Sequence, residues 1–417
     1  MDRSRLPQSH GAPGHEPVEP RLRWTEGGAP CSARWRCERG TPAPRSVVVA
    51  DDTLSADTAY HLACEGTALL WRGDFHNARQ LLLALARRVD RKDARRSGGK
   101  AARRGTPPAA DAMPAAPGAA FHRHRQSQAQ RARVLAMLLI PLDADYGIPL
   151  RRAPDHRLAM AEAWGPPDAD GGPSVVALRE LLGIVSAHEW RKKGVAVPAL
   201  GPAPDHRIHP HHGVFSPVRG EYIELVAKMP LPMAATPLTA FDIGTGTGVL
   251  AAVLARRGVA KVVATELEPR ALACAQENLS RLGLGGQVEL LPADLFPPGR
   301  AGLVVCNPPW LPARPGAPIE RALYDEDSRM LRGFLAGLAA HLAPGGEGWL
   351  ILSDLAEHLG LRTRDELLGW IAAAGLQVLG RTDTRPTHGK AGDTTDALHA
   401  ARAAEITSLW RLGAATA

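Results

Sequence analysis

The chain has 417 residues, more than one average domain, so two globular units and some linker are expected. Hydrophobic residues at 45% and charged residues at 22% exclude a wholly disordered or collagen-like chain, while 42 Gly and 36 Pro point to added irregular stretches. The formal charge of +7 is unevenly spread: between Arg87 and Arg133 there are 13 Lys and Arg against 3 Asp and Glu, which leaves the remainder slightly acidic.

No run approaches the roughly 18–20 apolar residues that a membrane helix needs, so no membrane partner is expected. The first residues, MDRSRLPQSHGAPGHEP, carry charges without the apolar stretch of a secretory signal, and a cytoplasmic location is the expectation. The five cysteines (Cys31, Cys37, Cys64, Cys274, Cys306) have no CxxC spacing and read as reduced thiols.

Residues 1–45 mix Pro, Gly, Arg and His without periodicity and are expected to form a disordered tail. Residues 46–200 read as a mainly helical N-terminal domain. Two helices are expected in SADTAYHLACEGTALL and DFHNARQLLLALARRV, the second with Asp74 as N-cap and Leu81, Leu82, Leu85 and Val89 on one face. RARVLAMLLIPL and SVVALRELLGIVSAHEW supply a third and a fourth. A basic low-complexity insertion at 91–130 interrupts them. The wider basic stretch, 87–133, offers a possible RNA contact through phosphate neutralisation, although only Phe121 interleaves with it, which does not favour base stacking.

In residues 201–417 short β-branched runs alternate with amphipathic helices, the pattern of βαβ units on a parallel sheet. Strands are expected in TAFDIG, KVVATEL, QVELLPA, LVVCNPP and WLILSDL, and in a final pair, QVLGRTDT and EITSLWRL. Helices are expected over 249–257 and 269–282, the latter with Pro269 in its first turn and Gly283 past its end.

Four motifs carry chemistry. In FDIGTGTGVLAAVLARRG a strand runs into Gly244, Gly246 and Gly248 and then a helix, the turn that lets a nucleotide-like ligand approach the main chain. Val249 stands where a dinucleotide fingerprint has its third glycine, which disfavours NAD(P) and an oxidoreductase. Glu266 ends the next strand, where a carboxylate can accept both hydroxyls of a ribose. Asp294, beside Leu295 and Phe296, suits the amine and face of an adenine. Finally, Asn307-Pro308-Pro309-Trp310 leaves free acceptors at a strand end, since two prolines cannot join a ladder. The Asn307 side-chain oxygen and the Pro308 carbonyl can accept both hydrogens of a planar NH2, and Trp310 can stack on its face.

In this order and spacing these residues resemble the class I S-adenosylmethionine-dependent methyltransferases of the branch acting on amino or amide nitrogens. Release-factor glutamine methyltransferases and "small domain" ribosomal RNA guanine-N2 methyltransferases are the most similar groups. The resemblance implies an α/β fold with a doubly wound, seven-stranded, mostly parallel Rossmann-like sheet. It also implies S-adenosyl-L-methionine as cofactor, held by Asp242, Gly244, Thr245, Gly246, Gly248, Glu266, Leu267, Asp294, Leu295 and Asn307, with Asn307, Pro308, Pro309 and Trp310 as the catalytic set. The implied partner is a protein or RNA of the translation apparatus. FSPVRGEY (Pro217, Arg219, Glu221) and IERALYDED resemble segments of the glutamine group and favour a glutamine acceptor over an RNA base.

Two further clusters are weaker. His206, His209, His211 and His212 lack the helical spacing and clustered Cys or carboxylates of a metal site, so no metal is expected. Asp354, Glu357 and His358 follow the fifth strand and read as a helix cap and surface charges rather than substrate contacts.

Overall fold

The structure, a computed structural model, describes residues 20–102, 118–168, 171–204, 206–232, 237–386 and 396–415. In the C-terminal half the expected strands all form: β9 (Thr239–Ile243), β10 (Lys261–Glu266), β11 (Val288–Pro292), β12 (Ala301–Cys306), β13 (Leu342–Ser353), β14 (Leu376–Thr384) and β15 (Thr407–Ala414), numbered to leave β1–β8 for the N-terminal half. They make one seven-stranded sheet in the order β11-β10-β9-β12-β13-β15-β14. β15 alone runs antiparallel, inserted between β13 and β14.

Side chains alternate across the sheet, so neighbours in β9 serve opposite cores. Ala240 joins the core that holds Val249, Leu250 and Val253, whereas Phe241 and Ile243 join the one that holds Leu331, Phe334, Leu335 and Leu338. Helices cover both faces. α6 (Glu221–Lys228), α7 (Val249–Arg256) and α8 (Pro269–Arg281) lie on the first, and α9 (Arg329–His341) and α11 (Arg364–Ala373) on the second, while the short α10 (Leu355–His358) and α12 (His399–Ala404) pack against each other in a separate small apolar cluster. Each buried Leu or Phe of α9, spaced i, i+3, i+4, i+7, stabilises this packing by about 1.5–3 kcal/mol.

The N-terminal half differs from expectation. The helices α1 (Ala56–Glu65), α2 (Phe75–Ala102), α3 (Ala119–Leu135), α4 (Arg157–Trp164) and α5 (Leu178–Lys193) form, but they pack on a six-stranded mixed sheet, ordered β1-β2-β6-β5-β4-β3, that the sequence reading lacked. Its strands are β1 (Arg21–Glu26), β2 (Ala29–Arg36), β3 (Ser46–Ala50), β4 (Thr67–Trp71), β5 (Leu138–Leu142) and β6 (Ser174–Ala177).

Three expectations are corrected here. Residues 21–36, read as part of a disordered tail, form the β1–β2 hairpin around Gly27 and Gly28, both with positive φ, and bury Leu22, Ala33 and Trp35. Residues 1–19 lie outside the described residues. The apolar run at 138–142, read as helix, is a strand covered on both faces, a case in which hydrophobicity without period cannot separate helix from strand. TALLW and SVVA go the same way as β4 and β6. Of the expected low-complexity insertion at 91–130, residues 103–117 lie outside the described residues, and the flanks are α2 and α3, the latter anchored by Phe121, Ala132, Val134 and Leu135.

Asp74 caps α2 as expected, accepting from the His76 amide at 2.9 Å, and it also accepts from Arg152 Nε at 2.6 Å and Arg151 Nε at 3.1 Å. The Arg152 hydrogen bond above all brings its carboxyl down to about 2.

The histidine-rich segment joins the halves. After β7 (Val195–Ala196) and β8 (Arg207–Ile208), the His209 amide donates to Asn278 Oδ1 at 2.8 Å, and its ring lies 2.6 Å from the Arg191 carbonyl. His211 Nε2 and Arg191 Nη2 converge on Glu277 of α8 at 2.8 and 2.6 Å. These histidines bridge two domains, and among the described residues no three His, Cys, Asp or Glu are placed to hold a metal. Nor is any described helix long and apolar enough to cross a membrane.

Burial works against ionisation of Glu277, but the hydrogen bonds from His211 and Arg191 prevail and bring it down to about 2. A carboxyl depressed in the folded state contributes stability above its ordinary value of 4.5 that fades as pH falls toward 2. Glu277→Gln is therefore expected to cost about 1–2 kcal/mol in urea unfolding at pH 7, the scale of a partly exposed charged hydrogen bond. The difference from wild type should shrink on titration to pH 3.

Candidate functional site

Strand register brings the expected site residues to one edge. Cys306 of β12 lies opposite Ile243 of β9, and Thr265 of β10 lies on the other side of Ile243. Glu266 in turn lies opposite Pro292 of β11. All four strands are parallel, so the segments that leave them emerge together. Across the sheet the order is Asp294, Glu266, the glycine loop, Asn307, then the end of β13. The connections diverge between β9 and β12, the point at which an open α/β sheet leaves a crevice.

The loop itself is held by its own backbone. Gly244, Gly246 and Gly248 all have positive φ, at 71°, 57° and 80°. The amides of Gly244 and Thr245 both donate to the Thr265 carbonyl, at 3.0 and 2.9 Å. A side chain on Gly244 would collide with the Met330 methyl group, 2.5 Å from where a Cβ would stand, whereas at Gly246 that direction is open. Asp242 is buried beneath the loop and accepts from Thr245 Oγ1 at 2.6 Å and the Ala251 amide at 3.0 Å. Burial pushes its carboxyl up to about 6. Asp242 and Thr245 thus tie the loop to the first turn of α7 from below.

Glu266 faces the loop from the neighbouring strand. Its Oε2 accepts from the Gly246 amide at 3.1 Å, and its Oε1 from the amides of Leu267 and Glu268 at 2.8 and 3.0 Å. Leu267 beside it is 59% exposed, an apolar side chain held out at the crevice. Leu295 has a φ of 69°, and its carbonyl accepts from Thr265 Oγ1 at 2.5 Å. Asp294 is exposed, 3.6 Å from Arg329. Phe296, expected beside Asp294 at an adenine face, instead stacks on His341 and Phe334 of α9, with centroids 4.2 and 5.9 Å apart.

At the strand end of β12, Trp310 Nε1 donates to Asn307 Oδ1 at 2.9 Å, which fixes the amide's orientation and leaves one lone pair of that oxygen. The indole packs against the cores on both faces of the sheet, and the Arg219 guanidinium lies 5.9 Å from its ring. Trp310 is therefore in part a buttress as well as a surface. Arg219 pairs at 3.2 Å with Glu405, which is 1% exposed and also accepts from Ser353 Oγ at 2.8 Å. The Pro217–Glu221 segment thereby reaches the Asn307 corner.

Two residues here escaped the sequence reading. Glu405 is an isolated acid before a strand and has no local signal. Met330, which roofs Gly244, lies in an unremarkable amphipathic helix. Asp354 stands at the N-cap position of α10 but makes no side-chain capping bond there: its carboxylate accepts from the Ile406 amide at 2.7 Å and stands 3.4 Å from His358, and Glu357 holds Arg364 at 2.8 Å.

Residues 205–363 match the family described as Methyltransferase small domain. The C-terminal half thus carries a segment similar to the Methyltransferase small domain family. Two relatives named release factor glutamine methyltransferase match it: that of Cereibacter sphaeroides is 35% identical over 152 residues, 33% of this chain and 52% of that protein, and that of Moorella thermoacetica is 41% identical over 120 residues, 27% and 42%. A ribosomal RNA small subunit methyltransferase C from Alcanivorax borkumensis is 32% identical over 117 residues, 28% of this chain and 32% of that protein. The chain spans about half the length of the relatives it matches, or less. The six-stranded N-terminal sheet lies outside the matched family segment.

Within the methyltransferase domain, removing Arg219 would leave the buried Glu405 carboxylate with Ser353 alone on its Oε1. Arg219→Ala is expected to lower unfolding stability by about 3 kcal/mol, the cost of breaking a buried pair from one side. Arg219→Lys should recover part of that loss in urea titrations.

Proposed function

We propose that this chain transfers a methyl group from S-adenosyl-L-methionine to a planar amide or amino nitrogen, with a glutamine side chain of a translation protein as acceptor. The observation that carries the proposal is the register of β9 and β12, which sets Asn307 beside the glycine loop at one edge. Open space over Gly246, with a carboxylate facing it, fits a ribose and its attached sulfonium.

In this reading Glu266 takes the ribose hydroxyls, exchanging backbone donors for ligand donors. Gly244, Gly246 and Gly248 allow close approach, with Asp242 and Thr245 fixing their loop from beneath. Leu267 and Leu295 flank the adenine, and Asp294 accepts from its amine. The cofactor supplies an electrophilic methyl group on a sulfonium.

An amide nitrogen is a weak nucleophile because its lone pair is delocalised, so the chain's own task is orientation. Asn307 Oδ1 and the Pro308 carbonyl accept the two hydrogens of the acceptor NH2, hold its plane, and stabilise the positive charge that grows on nitrogen. Pro308 and Pro309 keep those acceptors out of the sheet, and Trp310 holds Asn307 in place while presenting its remaining face. No general base is required before transfer; once the methyl group has left the sulfur, one of the two N–H protons leaves the charged nitrogen to solvent. Alignment of this kind is worth up to about 7–11 kcal/mol of barrier in favourable cases.

The glutamine reading is supported by the names of the first two relatives and by Arg219 lying over Trp310. An RNA base, at guanine N2 or adenine N6, is the second reading. The third relative favours it, as do Arg39 and Arg125, both drawn to Glu320 on the segment after Trp310. Incubating the protein and a tritiated methyl donor with lysate from a strain lacking it decides between them: label in protein is expected, label in RNA would transfer the proposal to the second reading, and label in neither would refute both. Glu266→Ala should weaken S-adenosylhomocysteine binding in calorimetry by about 10–100-fold, the scale of a lost charged hydrogen bond. Asn307→Ala should leave that affinity within about threefold and cut transfer by about 100-fold or more, as loss of one transition-state partner does. Unchanged transfer would remove Asn307 from the mechanism.

A further inference from the structure

The segment that follows Trp310 has little regular structure of its own, yet it touches everything that matters at the acceptor end. Leu311, next after Trp310, forms an isolated bridge with Tyr324, and the Asp325 amide donates back to the Leu311 carbonyl at 2.9 Å. The buried Asp325 carboxylate then accepts from the amides of Met330 and Leu331, at 3.0 and 3.1 Å. That bond starts α9 at the point where Met330 roofs Gly244. The segment 311–325 therefore links the Asn307 corner to the glycine loop. A loop of this length loses conformational entropy when held in one shape, so something must hold it.

The hold comes from the other domain. Phe121 and Arg125 stand one turn apart on α3 and face the same way. Phe121 is buried in a small apolar cluster with Leu355, Leu359 and Leu398, and its ring meets that of Tyr324 edge-on at 6.3 Å. The Arg125 guanidinium lies 4.2 Å over the Tyr324 ring. Its Nη1 donates to the Arg314 carbonyl at 2.8 Å, and its Nη2 stands 3.6 Å from Glu320, which itself accepts from the Gly316 amide at 2.7 Å. One planar, always-charged group thus bridges the start, the middle and the end of the segment, a task for which its flat fork suits it better than an ammonium.

We infer that Arg125 of the N-terminal domain is a positioning residue for methyl transfer, clamping the 311–325 segment so that it forms the acceptor wall of the site. The inference rests on the proposed methyl transfer for its kinetic consequence and on the geometry alone for its structural one. The cofactor crevice is built at the ends of β9, β10 and β11, whereas the Arg125 contacts fall on Arg314, Glu320 and Tyr324. The segment also reaches the cofactor side, where Arg321 Nη1 donates to Glu268 at 2.8 Å, so loss of the clamp should weaken use of the acceptor more than it weakens cofactor binding.

The test uses the full chain with Arg125→Ala and Arg125→Lys. Calorimetry with S-adenosylhomocysteine should give affinities within about twofold of wild type for both. Hydrogen exchange read by mass spectrometry should accelerate at least about tenfold over 311–325 in Arg125→Ala, with 239–306 unchanged. In the lysate labelling assay Arg125→Ala should raise the lysate concentration needed for half-maximal rate by about tenfold, more than it lowers the rate at saturation, and Arg125→Lys should recover part of the loss. Exchange over 311–325 at the wild-type rate would overturn the clamp. So would labelling by Arg125→Ala at the wild-type rate. Should wild type label nothing, the proposed function fails, while the exchange comparison still decides the clamp. If Arg125→Ala does not bind S-adenosylhomocysteine, Arg125→Gln takes its place in each measurement.

Discussion

Where β12 lies against β9 governs the site more than any single side chain. Because Ile243 and Cys306 share a level in a parallel pair, the two chains leave the sheet side by side, and the glycine loop and the Asn307 corner become neighbours although some sixty residues separate them. A slip of one residue would turn every side chain of β12 to the opposite face and exchange its partners in the two cores. That register is secured by burial: each residue of β12 is covered on both sides. Three left-handed glycines and a buried carboxylate then convert the strand end into a turn with an open side.

The corner at Asn307 is stiff for a different reason. Prolines keep its carbonyls out of the ladder, and the indole of Trp310 holds its amide. Behind the indole stand Arg219 and the buried Glu405, so the chain from Asn307 runs through three side chains to Ser353 at the end of β13. An amide or amino acceptor that must be held rather than activated is suited to such a frame, which is the physical ground for the proposed nitrogen chemistry.

Among the described residues, two of the contacts between the halves differ in character. At the histidine-rich joint, Glu277 gathers His211 and Arg191, a contact set by charge and sensitive to acid. At α3 the contact is aromatic and lies against the segment next to Trp310. The first involves α8 on one face of the sheet, and the second reaches Tyr324 and Arg314 in the segment after Trp310. The N-terminal domain, which lies outside the matched family segment, thus contacts the segment that follows the Asn307 corner.

The methyltransferase domain was legible in the amino-acid sequence because its rules are local. TAFDIG is a strand entering glycines, Pro269 and Gly283 punctuate a helix, and each motif stands at the end of its own strand. The N-terminal half was not, since β4, β5 and β6 are short apolar runs in which helix and central strand look alike, and the β1–β2 hairpin hides its alternation among arginines. Sequence alone thus determined the order of the candidate site residues and what each side chain can donate or accept, because those depend on residue type and on spacing within one turn. Tertiary structure alone decided that Phe296 turns into α9, that Trp310 leans on Arg219 and Glu405, and that α3 bears on the acceptor segment. Those are meetings between residues tens to hundreds of positions apart, and only the packing of the sheet brings them within reach.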